Sequence, residues 1–174
     1  CNYQHNDAFP GSHPLYAGPL GYNGSKAGME LISKADVVLA LGTRLNPFST
    51  LPGYGLDYWP KNAKLIQVDM NAERIGLTKP VAVGIAGDAK KTAEGILEKL
   101  TPEAGSQGRQ ERRNLIAELK ATWSETLAAM DHEDDDPGTS WNLRAREKQP
   151  SYMSPRMGWR AIIESLPKEA IISS

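Results

Sequence analysis

Three stretches of the chain combine residue types that suit a nucleotide. They are Gly42-Thr43-Arg44, Val68-Asp69-Met70-Asn71 and Ile85-Ala86-Gly87-Asp88. Gly42 lets a ligand come close to the backbone, because no Cβ stands in the way. Arg44 offers a planar fork of donors that matches a phosphate. Asp69 could accept hydrogen bonds from ribose hydroxyls. Asp88 could do the same while the helix behind it offers backbone N–H groups. Each aspartate taken alone serves equally well as the cap of a turn or helix. What separates the two readings is convergence, and that depends on the elements carrying these residues.

Other chemistry-bearing residues are less persuasive. There is no GxxxxGK[ST] phosphate loop and no strand-linked GxGxxG. Gly18, Gly21, Gly24 and Gly28 enter a helix at spacings of three, three and four, which fits either a close backbone approach or a simple helix-entry loop. His5 and His13 lie in a loop rich in Asn, Asp and Pro, with Asp7 as the one further ligand type nearby, too few for a metal site. The run Asp131-His132-Glu133-Asp134-Asp135-Asp136 lacks the alternation and turn glycine of a calcium loop and reads as a solvated acidic loop. No Ser-His-Asp or Cys-His constellation can be argued, so no catalytic residue and no metal ligand is assigned.

The elements that must position the three stretches are written as hydrophobic patterns. Asp36 to Gly42 (DVVLALG), Lys64 to Asp69 (KLIQVD) and Pro80 to Gly87 (PVAVGIAG) are apolar runs, the last with Val81, Val83 and Ile85 in alternation. Runs rich in Val, Ile and Leu are what strands buried on both faces require. Ser25 to Ala35 carries Ala27, Leu31, Ile32 and Ala35 at helical spacing. Asp88 stands as an N-cap, and the helix behind it presents Ala89, Ala93, Ile96, Leu97 and Leu100 on one face. Helix, three strands and helix with crossover-length connections read as an α/β fold, an open parallel sheet with flanking helices. In such a sheet ligands bind outside the carboxyl ends of the strands. Gly42, Arg44, Asp69 and Asp88 are therefore expected along one rim. The long connection from Gly42 to Lys64 holds Pro47, Pro52, Gly53, Gly55 and Pro60, and a short helix is expected near Leu56 to Trp59.

Thr101 to Gln110 (TPEAGSQGRQ) has the composition of a linker. Glu111 to Met130 reads as a long amphipathic helix with Leu115, Leu119, Trp123, Leu127 and Met130 on one side. Asp131 to Pro150 is polar and turn-rich. Ser154 is placed to cap a last helix with Pro155 at its first position, and Met157, Ile162, Ile163 and Leu166 supply its buried side. The resulting division is 1–100, 101–153 and 154–174. The apolar, strand-like end Ala170-Ile171-Ile172-Ser173-Ser174 and a start without Met lead to the expectation of a piece of a longer polypeptide.

Composition narrows the partners. Among 174 residues, 20 Lys plus Arg face 21 Asp plus Glu, which excludes a strongly basic nucleic-acid surface as the first choice. No run of about 18 or more apolar residues is present, so no segment of the sequence reads as a membrane-spanning helix. The one cysteine, Cys1, excludes an internal disulfide framework and a four-cysteine zinc site, and fits a cytoplasmic setting.

At these residues a resemblance enters. QHNDAFPGSHPLYAGPLGYNGSKAGMELISKADVVLALGTRLNPFSTLPGYGLDYWP, KLIQVDMNAERIGLTKPVAVGIAGDAK and DHEDDDPGTSWN are similar to the sulfoacetaldehyde acetyltransferase family. These are thiamine-diphosphate enzymes of the acetolactate synthase superfamily. The pattern ADVVLALGTRLN, IQVD and GDA is shared by central domains across that superfamily, whereas NPFSTLPGYGLDYWP looks particular to the acetyltransferase branch.

The resemblance implies a Rossmann-like, DHS-like central domain at 1–100, then a helical linker, then the start of a C-terminal diphosphate-binding domain at 154–174. It implies conversion of sulfoacetaldehyde and phosphate to acetyl phosphate and sulfite in sulfonate breakdown, with thiamine diphosphate and Mg2+ held outside this chain by flanking pyrimidine- and diphosphate-binding domains. The fragment would not be catalytic alone, and the full chain would be a homodimer or homotetramer. Relatives bind FAD or an ADP moiety in the central crevice. By position that transfers to Gly42, Arg44, Asp69 and Asp88, although the acetyltransferase reaction needs no such nucleotide and the crevice could be vestigial. The loop from Phe9 to Asn23 corresponds to one that approaches the thiamine cleft, which makes His13, Tyr22 and Asn23 candidates to line it. Two alternatives stand beside this reading. One is a sirtuin-like NAD-dependent deacylase, since Gln4-His5-Asn6-Asp7 resembles that family's run. The other is a stand-alone nucleotide-binding or oligomerisation module.

Overall fold

The structure is a computed structural model that describes residues 1–2, 4–132, 155–167 and 170. The acidic loop after His132, the Ser154 cap and the C-terminal strand-like run after Ala170 lie outside the described residues. The chain forms two compact units, Cys1–Trp123 and Ser124–Ser174.

The first unit is built on three strands, β1 (Val37–Leu41), β2 (Lys64–Asp69) and β3 (Val83–Ala86). They lie side by side in that order and all run parallel. Val37 pairs with Lys64 and Leu41 with Val68. Ile66 pairs with Val83 and Asp69 with Ala86. The carboxyl ends are therefore level, and two further bonds continue the ladder past them, Gly42 N–H to Val68 O (2.8 Å) and Gly87 N–H to Asp69 O (3.1 Å). β2, flanked on both sides, is the buried strand, with Val68 fully enclosed.

The expectation that all three strands are buried on both faces fails for the outer two. Val37, Leu39 and Leu41 of β1 are 53%, 43% and 40% exposed, and Val83 of β3 is 48% exposed. Each outer strand has a neighbour on one edge only among the described residues, so its side chains lose cover that β2 keeps. β3 is also shorter than the run Pro80 to Gly87. The core is small: Ala40, Leu45 and Leu65, with Val38, Trp59 and Val81 packed against them.

Two helices flank the sheet. In α1 (Lys26–Ile32), Ser25 caps the first turn by accepting from Gly28 N–H, and Ala27, Gly28 and Met29 are buried. In α2 (Ala89–Lys99), Asp88 caps as expected, its carboxylate accepting from Lys91 N–H at 2.8 Å. The apolar face of α2 is only partly covered. Ala93 and Ile96 are half-buried, while Leu97 and Leu100 are 69% and 54% exposed. Periodicity identifies the apolar side of a helix; whether anything covers it is decided by the rest of the fold. The long helix α3 (Arg109–His132) buries Ile116 and half-buries Leu115, Leu119 and Trp123.

The expected helix near Leu56 to Trp59 is absent. The connection instead holds a 3-10 turn at Pro47–Ser49, with Asn46 accepting from Ser49 N–H (2.9 Å) and proline at the first position. Tyr54 (φ 53°) and Gly55 (φ 72°) are both left-handed, and an isolated bridge joins Gly53 to Leu56. Two consecutive left-handed residues close a tight turn and prevent a right-handed helix from starting there.

In the second unit, α4 (Pro155–Ser165) begins at the expected proline. Its apolar residues Met157, Ile162, Ile163 and Leu166 are 36%, 50%, 59% and 37% exposed, so the side read as buried is not covered by described residues.

Candidate functional site

Parallel pairing brings the carboxyl ends of β1, β2 and β3 to one edge of the sheet, and with them Gly42, the Asp69 turn and the Asp88 cap. The two aspartates are already engaged there. Asp69 is 7% exposed and its Oδ1 accepts from Asn71 N–H at 2.8 Å. Asp88 caps α2. Gly42 (φ 61°) is left-handed, and its missing Cβ would sit 3.5 Å from Ala89 at the start of α2. The glycine thus joins the end of β1 to the α2 N-terminus at close quarters.

Arg44 is exposed, and its guanidinium makes no ion pair or hydrogen bond among the described residues. The turn that carries it is bonded throughout. Thr43 Oγ1 accepts from Leu45 N–H (3.2 Å), and Thr78 Oγ1 donates to Leu45 O (2.8 Å) and Arg44 O (3.3 Å). Gln67, at the centre of β2 and 1% exposed, donates from Nε2 to Thr43 O (2.9 Å) and Arg74 O (3.2 Å). Its Oε1 accepts from Gly76 N–H (2.9 Å). Gln67 and Thr78 were missed from the sequence. The available signal for Gln67 was a neutral polar residue inside the run KLIQVD.

A groove of about 680 Å³ lies along β1. It takes in Gly42 and Thr43 but not Arg44, Asp69 or Asp88, and its polar wall comes from Asn2, His5, Asp7, Ser49 and Thr50. A second, more apolar groove of about 890 Å³ lies between Phe9 to Leu20, α1 and the start of α3. Among the described residues no three His, Cys, Asp or Glu side chains group as a metal would need.

The three cleft candidates fall into two neighbourhoods. His13 is exposed, its Nδ1 accepts from Leu15 N–H (3.1 Å), and its ring meets Phe9 edge-on at 5.1 Å. Tyr22, 57% exposed, and left-handed Asn23 (φ 53°) sit on a turn tied to the 3-10 turn by Tyr22 N–H to Phe48 O (2.8 Å). Gly21 makes that contact possible, because a Cβ there would run into the Phe48 carbonyl. Neither groove includes His13, Tyr22 or Asn23. Tyr58 lies beneath this region. It is 2% exposed, and its hydroxyl has no hydrogen-bond partner among the described residues. Burial pushes its phenol above the usual tyrosine range, and a polar contact with the Gly21 backbone, short of hydrogen-bond geometry, opposes that shift.

Comparison with known proteins agrees with this architecture. Residues 1–96 match the family model described as "Thiamine pyrophosphate enzyme, central domain". The chain is 75% identical over all its 174 residues to a sulfoacetaldehyde acetyltransferase of Roseovarius nubinhibens, covering 29% of that protein. It is 69% identical over 172 residues, 99% of its length, to a sulfoacetaldehyde acetyltransferase of Rhodobacter capsulatus, again covering 29% of the relative. It is 30% identical over 114 residues, 66% of its length, to acetolactate synthase isozyme 3 large subunit of Escherichia coli, covering 19% of it. The chain thus spans less than a third of the length of these relatives, and nothing supports the sirtuin-like alternative. With the parallel sheet and a model match over more than half its residues, this chain belongs to the thiamine pyrophosphate enzyme family, as a central domain.

Proposed function

We propose that the chain is the central domain of a thiamine-diphosphate-dependent sulfoacetaldehyde acetyltransferase, which converts sulfoacetaldehyde and phosphate to acetyl phosphate and sulfite. The observation that carries this reading is 75% identity, over every residue, to a relative of that name. The domain occupies 1–100. A linker runs over 101–153, and the diphosphate-binding domain starts at 154–174. The complete enzyme is a cytoplasmic homodimer or homotetramer. No described helix is long and apolar enough to cross a membrane.

The described residues do not fit thiamine diphosphate with Mg2+. No three potential metal ligands group together, and the Asp69 and Asp88 carboxylates are bonded to backbone. That cofactor belongs to the flanking domains, and this chain supplies structure and a nucleotide crevice. Gly42 and Arg44 suit an FAD- or ADP-type diphosphate, one by its lack of a side chain and the other by an uncommitted guanidinium. Asp69 and Asp88 lie at the neighbouring strand ends, outside the groove along β1, and shape the turns there. His13, Tyr22 and Asn23 face the thiamine cleft in the complete enzyme.

The test is direct. Protein expressed from the complete reading frame, supplied with thiamine diphosphate and Mg2+, should release sulfite and form acetyl phosphate from sulfoacetaldehyde and phosphate. The 174-residue chain alone should do neither. Release of acetolactate from pyruvate, with no sulfite from sulfoacetaldehyde, overturns the reading.

A further inference from the structure

The turn after β1 is held far more firmly than its exposed position requires. Gln67 secures Thr43 O from the sheet side and, through Arg74 O and Gly76 N–H, ties that turn to the loop after β2. Thr78 secures Arg44 O and Leu45 O from the same loop. Leu45 is held left-handed (φ 51°), which a branched-chain residue adopts only when its surroundings dictate it, and its side chain is anchored in the core. The partners of Gln67 are all backbone groups on the two turns, so its amide acts on the course of the chain there and binds no other side chain. The side chain this apparatus leaves uncommitted is that of Arg44.

We propose that Gln67 and Thr78 are positioning residues for Arg44. They fix the Thr43–Leu45 turn so that its guanidinium is presented in one place to a phosphate group. The ligand half of this statement rests on the nucleotide reading above; the positioning half does not. A guanidinium fork gains from being pre-set, because less freedom is lost when both hydrogen bonds form.

The experiment uses protein from the complete reading frame, with ADP as the probe, and measures affinity by calorimetry. Arg44→Ala should weaken ADP at least tenfold. Thr78→Val should weaken it three- to tenfold with an unchanged melting point, and Thr78→Ser, which restores the hydroxyl, should bind as the parent does. On the Arg44→Ala background, Thr78→Val should have no further effect, since both act through one group. Gln67→Met, assayed well below its own melting point, should weaken ADP more than Thr78→Val; if it fails to fold, the Thr78 pair decides. A Thr78→Val loss that persists undiminished without Arg44, or no loss at all beside a weakened Arg44→Ala, overturns the proposal. If ADP binds neither parent nor variant, or binds Arg44→Ala unchanged, the nucleotide reading fails. The positioning half is then judged by hydrogen exchange. Peptides covering 43–46 should exchange about tenfold faster in Thr78→Val at equal global stability, and unchanged exchange overturns it.

Discussion

Gln67 and Tyr58 are buried to the same degree, 1% and 2% exposed, and stand in opposite conditions. The Gln67 amide has a partner for each donor and for its acceptor, so its loops share one network. The Tyr58 hydroxyl has none among the described residues. Burial without a partner costs a polar group its water and returns nothing, while burial with full partners makes it a structural joint. The end of β2 is therefore where backbone geometry is set. The region beneath the Gly21 and Pro47–Ser49 turns is where packing of the tyrosine ring outweighs the cost of its hydroxyl.

The sharpest way to break this contrast is Gln67→Leu, which keeps the volume and removes every bond. Thr43 O, Arg74 O and Gly76 N–H are then left without their partner at the sheet edge. A loss of about 3 kcal/mol is expected, at about 1–3 kcal/mol for each buried group left unmade and some recovery through water. Urea denaturation measures it. A loss below about 1 kcal/mol would mean that these carbonyls reach solvent and that Gln67 is not a joint.

A smaller effect tests an intermediate case. The Asp88 carboxylate is exposed yet bonded to Lys91 N–H, so it stands between Gln67 and Tyr58 in both respects. Asp88→Ala should cost about 1 kcal/mol, the usual worth of an N-cap, and Asp88→Asn should recover most of it because the amide oxygen caps equally well. Melting curves of the two variants check this. An Asn variant as damaged as the Ala variant would show that negative charge, not capping geometry, is what Asp88 supplies.

The sequence exposed the parts of this molecule governed by local chemistry. Val and Leu runs marked the three strands, and Asp88 before Ala89 marked the α2 cap, because strand burial and capping act over a few residues. The common edge of Gly42, Asp69 and Asp88 followed from parallel pairing alone. What was not legible depends on distant neighbours. The apolar stripe of α2 was visible, but its exposure at Leu97 and Leu100 reflects what does not lie against it. The turn at Pro47–Ser49 was hidden because the expectation of a helix near Leu56 to Trp59 came from the length of the connection, and length does not say where in it the chain turns. In the site, Arg44 stood out as a lone cation at a strand end. Gln67 and Thr78 act across 24 and 33 positions of chain, a separation no local pattern reveals.

The smallest expected effect is the most telling about Tyr58. Tyr58→Phe removes a hydroxyl that has given up water for no well-formed bond, its polar contact being with the Gly21 backbone, so at pH 7 the variant should equal the parent or exceed it by up to about 1 kcal/mol. The pH dependence separates this from coincidence. Burial raises the folded phenol above its ordinary value of 10.0. Below that value both the folded and unfolded chains hold the proton, and stability is unaffected. As pH rises through it, the unfolded chain releases the proton first, binds fewer protons than the folded one, and stability falls until the folded phenol also ionises. Tyr58→Phe lacks this step, and titrations common to both proteins cancel in the difference. The variant's advantage should therefore widen above pH 10 in denaturation curves taken at intervals of half a pH unit. A variant that loses more than about 1 kcal/mol at pH 7 and shows no widening would mean that the hydroxyl has a bonding partner after all, and the contrast with Gln67 would collapse.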